Sequence, residues 1–262
     1  MTTRRKTLFV LAGLFILAVA LMMEPSYTLL VKPRGEAFDL FWIWAGGRSV
    51  LRGENPYGPE TTRLIQLSVF GHIIPPDRYQ HGFPHPAHIA FVLFPFIVLP
   101  FSWSVLLWIS LQLPLFMATL LLGLDLLDWK VRPALIFPLT LLTTLGFRYP
   151  MIVYVLGQLI FFVLFCFTAT LWLYRRGRVR LAAVTLACAT IRPDLALPAL
   201  AATGALVWRS PRRKAFLATL LIAGGVMGLL PVPFLGFWPV TWIRAVLSYG
   251  QNPFATWPPG LL

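Results

Sequence analysis

Six polar side chains stand out against an apolar sequence as candidates for chemistry: Asp39, His85, Arg148, Gln158, Arg192 and Asp194. Asp39 heads the stretch FDLFWIWAGGRSVLRGENPY, residues 38–57. A carboxylate there could act as a general base and take a proton from a hydroxyl. It could equally cap the helix that follows, because Asp is among the best N-cap residues. Arg192, in TIRPDL, lies between apolar stretches, where an ionisable group is expensive and usually functional. Its planar donors suit a phosphate; pairing with Asp194 would instead satisfy both charges locally. Arg148, in GFRYP, reads as a second phosphate contact or an interfacial anchor. Gln158, in YVLGQLIFF, reads as a ligand contact or a bridge to a neighbouring helix.

His81, His85 and His88 are spaced four and three apart, which on one helix would suggest a metal site. Pro84 and Pro86 interrupt that helix, so no metal is expected and His85 is read as a single residue acting on substrate or its phosphate. Cys166 and Cys188 lie in apolar runs and read as small buried hydrophobes rather than a disulfide. The sequence holds no Gly-rich phosphate loop, GxSxG, HExxH or CxxC motif, which argues against hydrolases and soluble nucleotide enzymes. No cofactor is implied.

The elements that must position these residues belong to a membrane protein. The chain is 58% hydrophobic and only 12% charged, where a soluble domain carries about 25% charged residues. Apolar segments fall at about 7–23, 88–99, 102–124, 133–147, 151–174, 180–191, 195–208 and 215–235. The segments 102–124, 151–174 and 215–235 are long enough to cross a bilayer alone, and 7–23 reads as an uncleaved first span. Segments 88–99, 180–191 and 195–208 are short and bounded by prolines, as are broken helices that line a cavity. The fold class expected is therefore an all-α polytopic membrane protein forming a single transmembrane domain over 1–262.

Basic residues set the expected orientation. Arg4–Lys6, Lys130 and Arg132, Arg175–Arg180, and Arg209–Lys214 all fall on one side if the helices alternate. That side reads as cytoplasmic. The loop 24–86 then lies outside, with six basic and six acidic residues. The net charge of +13 thus reports topology, and no nucleic-acid partner is expected. On the loop, Leu40, Ile43, Trp44, Gly47, Val50 and Leu51 share a helix face. This predicts an amphipathic interfacial helix from Asp39, stopped by Gly53 and turned at Asn55-Pro56. The two basic clusters about 30 residues apart predict a hairpin of short helices with IRPDLALP at its tip. Residues 236–262 read as an extracytoplasmic tail without a further clear helix.

These landmarks together resemble glycosyltransferase family 87 of the GT-C superfamily. DLFWIWAGGRSVLRGENPY resembles the signature after that family's first helix. FPHPAHIAFVLFPFIVLP, LGQLIFF and ATIRPDLALPAL follow in the family's order, over roughly residues 5–235. Phe83-Pro84-His85-Pro86 stands where the family commonly has Tyr-Pro-Pro, and Arg192 where Lys is common. Family members continue through further helices, so the chain reads as C-terminally short. The resemblance implies a GT-C-like transmembrane bundle in the cell membrane with an extracytoplasmic site. It implies transfer of a sugar, commonly mannose, from a polyprenyl-phosphate donor to a glycan or glycolipid acceptor. Asp39 would be the base and Arg192 the partner of the donor phosphate. A membrane transporter or lipid-handling protein, or a non-catalytic scaffold, would also use broken helices and a buried arginine.

Overall fold

The structure, a computed structural model, describes residues 3–34, 38–78 and 80–249. Among these, every regular element is helical. Helix α1 (Thr3–Ser26) runs on through a π-helical turn, Tyr27–Val31, into the single turn α2 (Lys32–Arg34). Next come α3 (Asp39–Leu51) and α4 (Pro59–Phe70), then the short α5 (Ile89–Val92) and α6 (Phe94–Val98). The long α7 (Phe101–Leu126) precedes α8 (Pro133–Leu145), α9 (Arg148–Leu156) and α10 (Ile160–Arg175). A hairpin of α11 (Val179–Ala189) and α12 (Pro193–Trp208) leads into α13 (Arg213–Leu229), α14 (Val232–Leu235) and α15 (Trp238–Tyr249).

Among the described residues, three helical stretches are long and apolar enough to cross a membrane: Gly13–Val31, Phe101–Leu126 and Arg213–Leu235. The bent pair of α8 and α9 would make a fourth. Leu21 and Leu221 are 67% and 75% exposed, and only 11% of the apolar window in the first and third stretches is buried. Continuous apolar surface of this kind is compatible with an apolar solvent.

Two expected boundaries differ. The first span continues past Met23, because Pro25 does not end the helix. The backbone widens into the π turn just after it, and the Thr28 hydroxyl donates to the Glu24 carbonyl at 2.9 Å. The segment 151–174 is not one span. It breaks between α9 and α10, where Gly157 takes a left-handed conformation at φ +67°. The segment 133–147 becomes α8 and is followed by an 89° bend into α9. Gly146 sits at this bend, where a Cβ would lie 2.4 Å from the Leu142 carbonyl oxygen.

Helix α3 begins and ends where the sequence suggests, with Gly53 at φ +72° just beyond its end. It is not an amphipathic helix with one free face. Eight of its thirteen residues are buried, on all sides. The Gly46-Gly47 pair explains this. A Cβ on Gly46 would lie 2.3 Å from the Phe83 ring, and one on Gly47 would lie 2.7 Å from Ile97. Backbone approach this close is open only to glycine, so the chain covers both faces of α3. Trp44 donates its indole N–H to the Leu99 carbonyl at 2.9 Å. Arg48 stacks on Trp44 and donates to the carbonyls of Ile97 and Val98, each at 3.0 Å. This satisfies the open carboxyl end of α6.

The bundle has two chemically distinct ends. At one, Arg175 pairs with Asp128 and Arg176 with Asp125, both at 2.7 Å. Arg175 also donates to the Leu126 carbonyl. A Cβ on Gly177 would sit 3.3 Å from the Arg212 guanidinium. Three of the basic clusters noted in the sequence therefore meet at this end. At the other end of α7, Phe101 packs edge-on against Phe41 of α3, centroids 4.9 Å apart. There the broken elements gather.

Candidate functional site

The turn between α9 and α10 positions the first polar group. Gly157 ends α9 in the left-handed region, and the Gln158 N–H closes the turn on the Val153 carbonyl at 3.0 Å. A Cβ at Gly157 would come 3.1 Å from Ile109, so the turn lies tight against α7. The indole of Trp108 donates to the Gly157 carbonyl at 2.8 Å, and the Gln112 amide donates to the Gln158 carbonyl at 3.0 Å. With its backbone held from both sides, Gln158 turns its side chain to α3. Its Nε2 donates to Asp39 Oδ2 at 2.7 Å.

Asp39 is the first residue inside α3. The N-cap position belongs to Phe38, in extended conformation, so the capping reading of Asp39 does not hold. Its carboxylate still lies at the positive end of the helix dipole.

The α11–α12 hairpin brings the cation. Arg192 occupies the N-cap of α12, and Pro193 at the first position fits the fixed φ of a helix start. Arg192 grips Asp194 with two bonds, Nε to Oδ1 at 3.0 Å and Nη2 to Oδ2 at 2.7 Å. The expected local pair is therefore present, and both partners also line the cavity at this end of the bundle. That cavity, of about 370 Å³, is walled by Asp39, Trp42, His85, Gln158, Arg192 and Asp194, with Trp242 and Val246 closing one side. Residues from α3, the 80–88 loop, the α9–α10 turn, the hairpin tip and α15 thus share one chamber.

The loop is pinned to both neighbours. The Tyr57 hydroxyl donates to the His85 carbonyl at 3.0 Å. His88 Nε2 lies 3.2 Å from Thr190 Oγ1, which itself donates to the Ala187 carbonyl at 2.6 Å. His81 packs edge-on against Trp42, centroids 5.6 Å apart. The three histidines part company, and among the described residues no group of three His, Cys, Asp or Glu side chains gathers.

Electrostatics differ across the chamber. Burial raises the Asp39 carboxyl above the usual carboxylate range, while the Gln158 bond and the Arg192 charge oppose that rise. Burial, then the Arg192 charge, pushes His85 down to about 3, against the opposing effects of Asp194 and the Ile191 backbone. His85 is therefore a neutral imidazole at physiological pH.

One sequence candidate falls away. Arg148 is exposed at the start of α9 and does not line the cavity. Nine residues of helical rise, about 14 Å, separate it from the Gly157 turn. One element was missed. Helix α15, in a tail expected to hold no further clear helix, forms a cavity wall and is tied down by Trp242 Nε1 donating to the Pro84 carbonyl at 3.1 Å. The signal was the spacing of Trp238, Trp242 and Val246, four apart on one helix face. Residues 250–262 of that tail, and Glu36 of the first loop, lie outside the described residues.

No family model, curated protein or solved structure matches this chain.

Proposed function

We propose that the chain is a membrane glycosyltransferase of GT-C type, acting on a polyprenyl-phosphate sugar donor on the extracytoplasmic side. The single observation that carries this reading is the meeting of Asp39 and Arg192, from opposite halves of the sequence, in one cavity. In the proposed reaction the Asp39 carboxylate takes the proton of an acceptor hydroxyl. The freed oxygen bonds to the anomeric carbon, the bond from that carbon to the phosphate oxygen breaks, and its electron pair leaves with the polyprenyl phosphate. Arg192 balances the departing charge. Gln158 orients Asp39 so that its bonded oxygen is Oδ2, and a carboxyl raised by burial is a better base than an ordinary one. The acceptor is a glycan or glycolipid, and mannose is the sugar that the sequence resemblance favours. The basic end of the bundle faces the cytoplasm in this reading.

The test is Asp39→Asn in the full chain, assayed with radiolabelled polyprenyl-phosphate mannose in lipid. Asn keeps the side chain's shape but cannot accept the proton. Transfer should fall by about 100-fold or more, with folding and donor binding retained. Normal transfer by Asp39→Asn would remove Asp39 as base; donor movement across the bilayer without transfer would favour a lipid transporter.

A further inference from the structure

A second cavity, of about 550 Å³, lies across Pro84 from the first. Its walls carry hydrogen-bonding and cationic groups, among them Asn55, Arg78, Gln80, His81, Arg244 and Ser248. None of the lining residues is acidic; Glu54 and Asp77 adjoin lining residues in sequence but do not line it. Among the described residues neither Arg78 nor Arg244 is ion-paired, whereas Arg175, Arg176 and Arg192 each hold a carboxylate.

The cavity wall is built rather than loose. Residues 71–78 and 80–88 form no regular helix, yet a buried glutamine fixes this loop from beneath. Gln66, 1% exposed, accepts from the Ile74 N–H at 3.0 Å and donates to the Gln80 carbonyl. Gly82 passes so close to α4 that a Cβ would lie 3.0 Å from the Thr62 hydroxyl. Helix α15 serves both cavities. Trp242 and Val246 face the first, while Thr241, Arg244 and Ser248 face the second. One residue, Pro84, is common to both walls, and Trp42 of the first and His81 of the second pack edge-on against each other.

We infer that the second cavity binds an anionic, hydroxyl-rich group, a polyol phosphate or its lipid-borne equivalent, and that this group is the charged part of the acceptor. The assignment as acceptor rests on the transferase reading; the binding of the anion does not. Two guanidinium groups without a carboxylate select a phosphate. The amide, imidazole and hydroxyl groups that line the same cavity suit vicinal hydroxyls. A ligand seated there would need to extend one hydroxyl past Pro84 to reach Asp39.

The test uses the full chain in phosphatidylcholine nanodiscs, titrated calorimetrically with glycerol 3-phosphate, inorganic phosphate and methyl mannoside. A parallel set of nanodiscs carries phosphatidylglycerol. Glycerol 3-phosphate should bind more tightly than methyl mannoside. The double variant R78Q/R244Q should weaken it by about tenfold or more, and R78K/R244K should restore part of the loss. Competition by phosphatidylglycerol would identify a lipid head group as the source; none would identify a soluble ligand. Ser248→Cys, in a chain with Cys166 and Cys188 replaced, should be protected from a thiol reagent by glycerol 3-phosphate. That second readout serves if the double variant fails to fold. Unchanged affinity in a folded R78Q/R244Q, equal binding of methyl mannoside, or absence of protection at position 248 would overturn the inference. Loss of binding in Arg192→Gln alone would place the anion in the first cavity and overturn it too. Anion binding in an unaltered protein that transfers no sugar from polyprenyl-phosphate mannose would sink the transferase reading and leave this site standing.

Discussion

Gln158 Nε2 donates to Asp39 Oδ2 at 2.7 Å, joining a turn between two apolar helices to the first residue of α3. The bond favours the ionised carboxylate that burial disfavours. Gln158→Leu removes the favourable part, so the Asp39 pKa should rise further. In the transferase reading, the acid limb of the transfer rate should then move to higher pH. Stability should follow its own sign. A carboxyl held above its unfolded value favours folding when protonated, and that contribution is lost as pH rises through the folded pKa. An unmoved limb in a folded Gln158→Leu protein would show that the bond does not tune the base.

Arg192 serves two partners in this reading, Asp194 and the donor phosphate. Arg192→Ala should weaken donor binding by roughly 2–3 kcal/mol, about 30- to 150-fold. Arg192→Lys should lose less, since charge stays while the planar fork is lost. Equilibrium binding of the donor lipid reads both. Normal donor binding with a lowered unfolding midpoint would reduce Arg192 to a structural partner of Asp194.

Two glycines should be irreplaceable for different reasons. Gly157→Ala must hold a side chain at φ +67°, which costs about 1 kcal/mol or more, and it should also disturb the Asp39–Gln158 bond. Gly46→Ala puts a methyl 2.3 Å from the Phe83 ring, and overpacking of this kind costs about 1–3 kcal/mol. Thermal unfolding in detergent measures both. A Gly46→Ala protein as stable as the parent would mean that α3 can move away from the 80–88 loop.

The orientation is tested by labelling. With Cys166 and Cys188 replaced, a cysteine at His72 should react with an impermeant thiol reagent from outside intact cells. One at Lys130 should react only after permeabilisation. Both positions are exposed. The reverse pattern would put the Asp39 cavity on the cytoplasmic side.

Much of the architecture was legible because its signals are local. Apolar length separates α7 and α13 from the short α11 and α12, and basic clusters mark which helix ends meet. Gly53 and Pro193 mark a stop and a start through backbone preferences that need no neighbour, whereas the stop at Gly157 was read as part of one continuous span. Asp39, Gln158, His85, Arg192 and Asp194 could be selected as polar groups too expensive to leave among apolar helices without a use.

Tertiary structure alone decided which of these meet. The Asp39–Gln158 bond depends on how Trp108 and Gln112 of α7 hold a turn 49 and 46 residues further along the chain, and no spacing rule encodes that. Periodicity gave α3 one apolar face and so suggested a surface helix. Burial beyond that face includes Gly46 meeting the ring of Phe83, a residue remote in sequence. Arg148 and Arg192 look alike as lone arginines beside apolar runs. The α8–α9 bend leaves the first outside the cavity while the hairpin carries the second into it. Helix α15 closes the chamber through a bond from Trp242 to the Pro84 carbonyl, a contact between distant segments that exists only once the spans between them have packed.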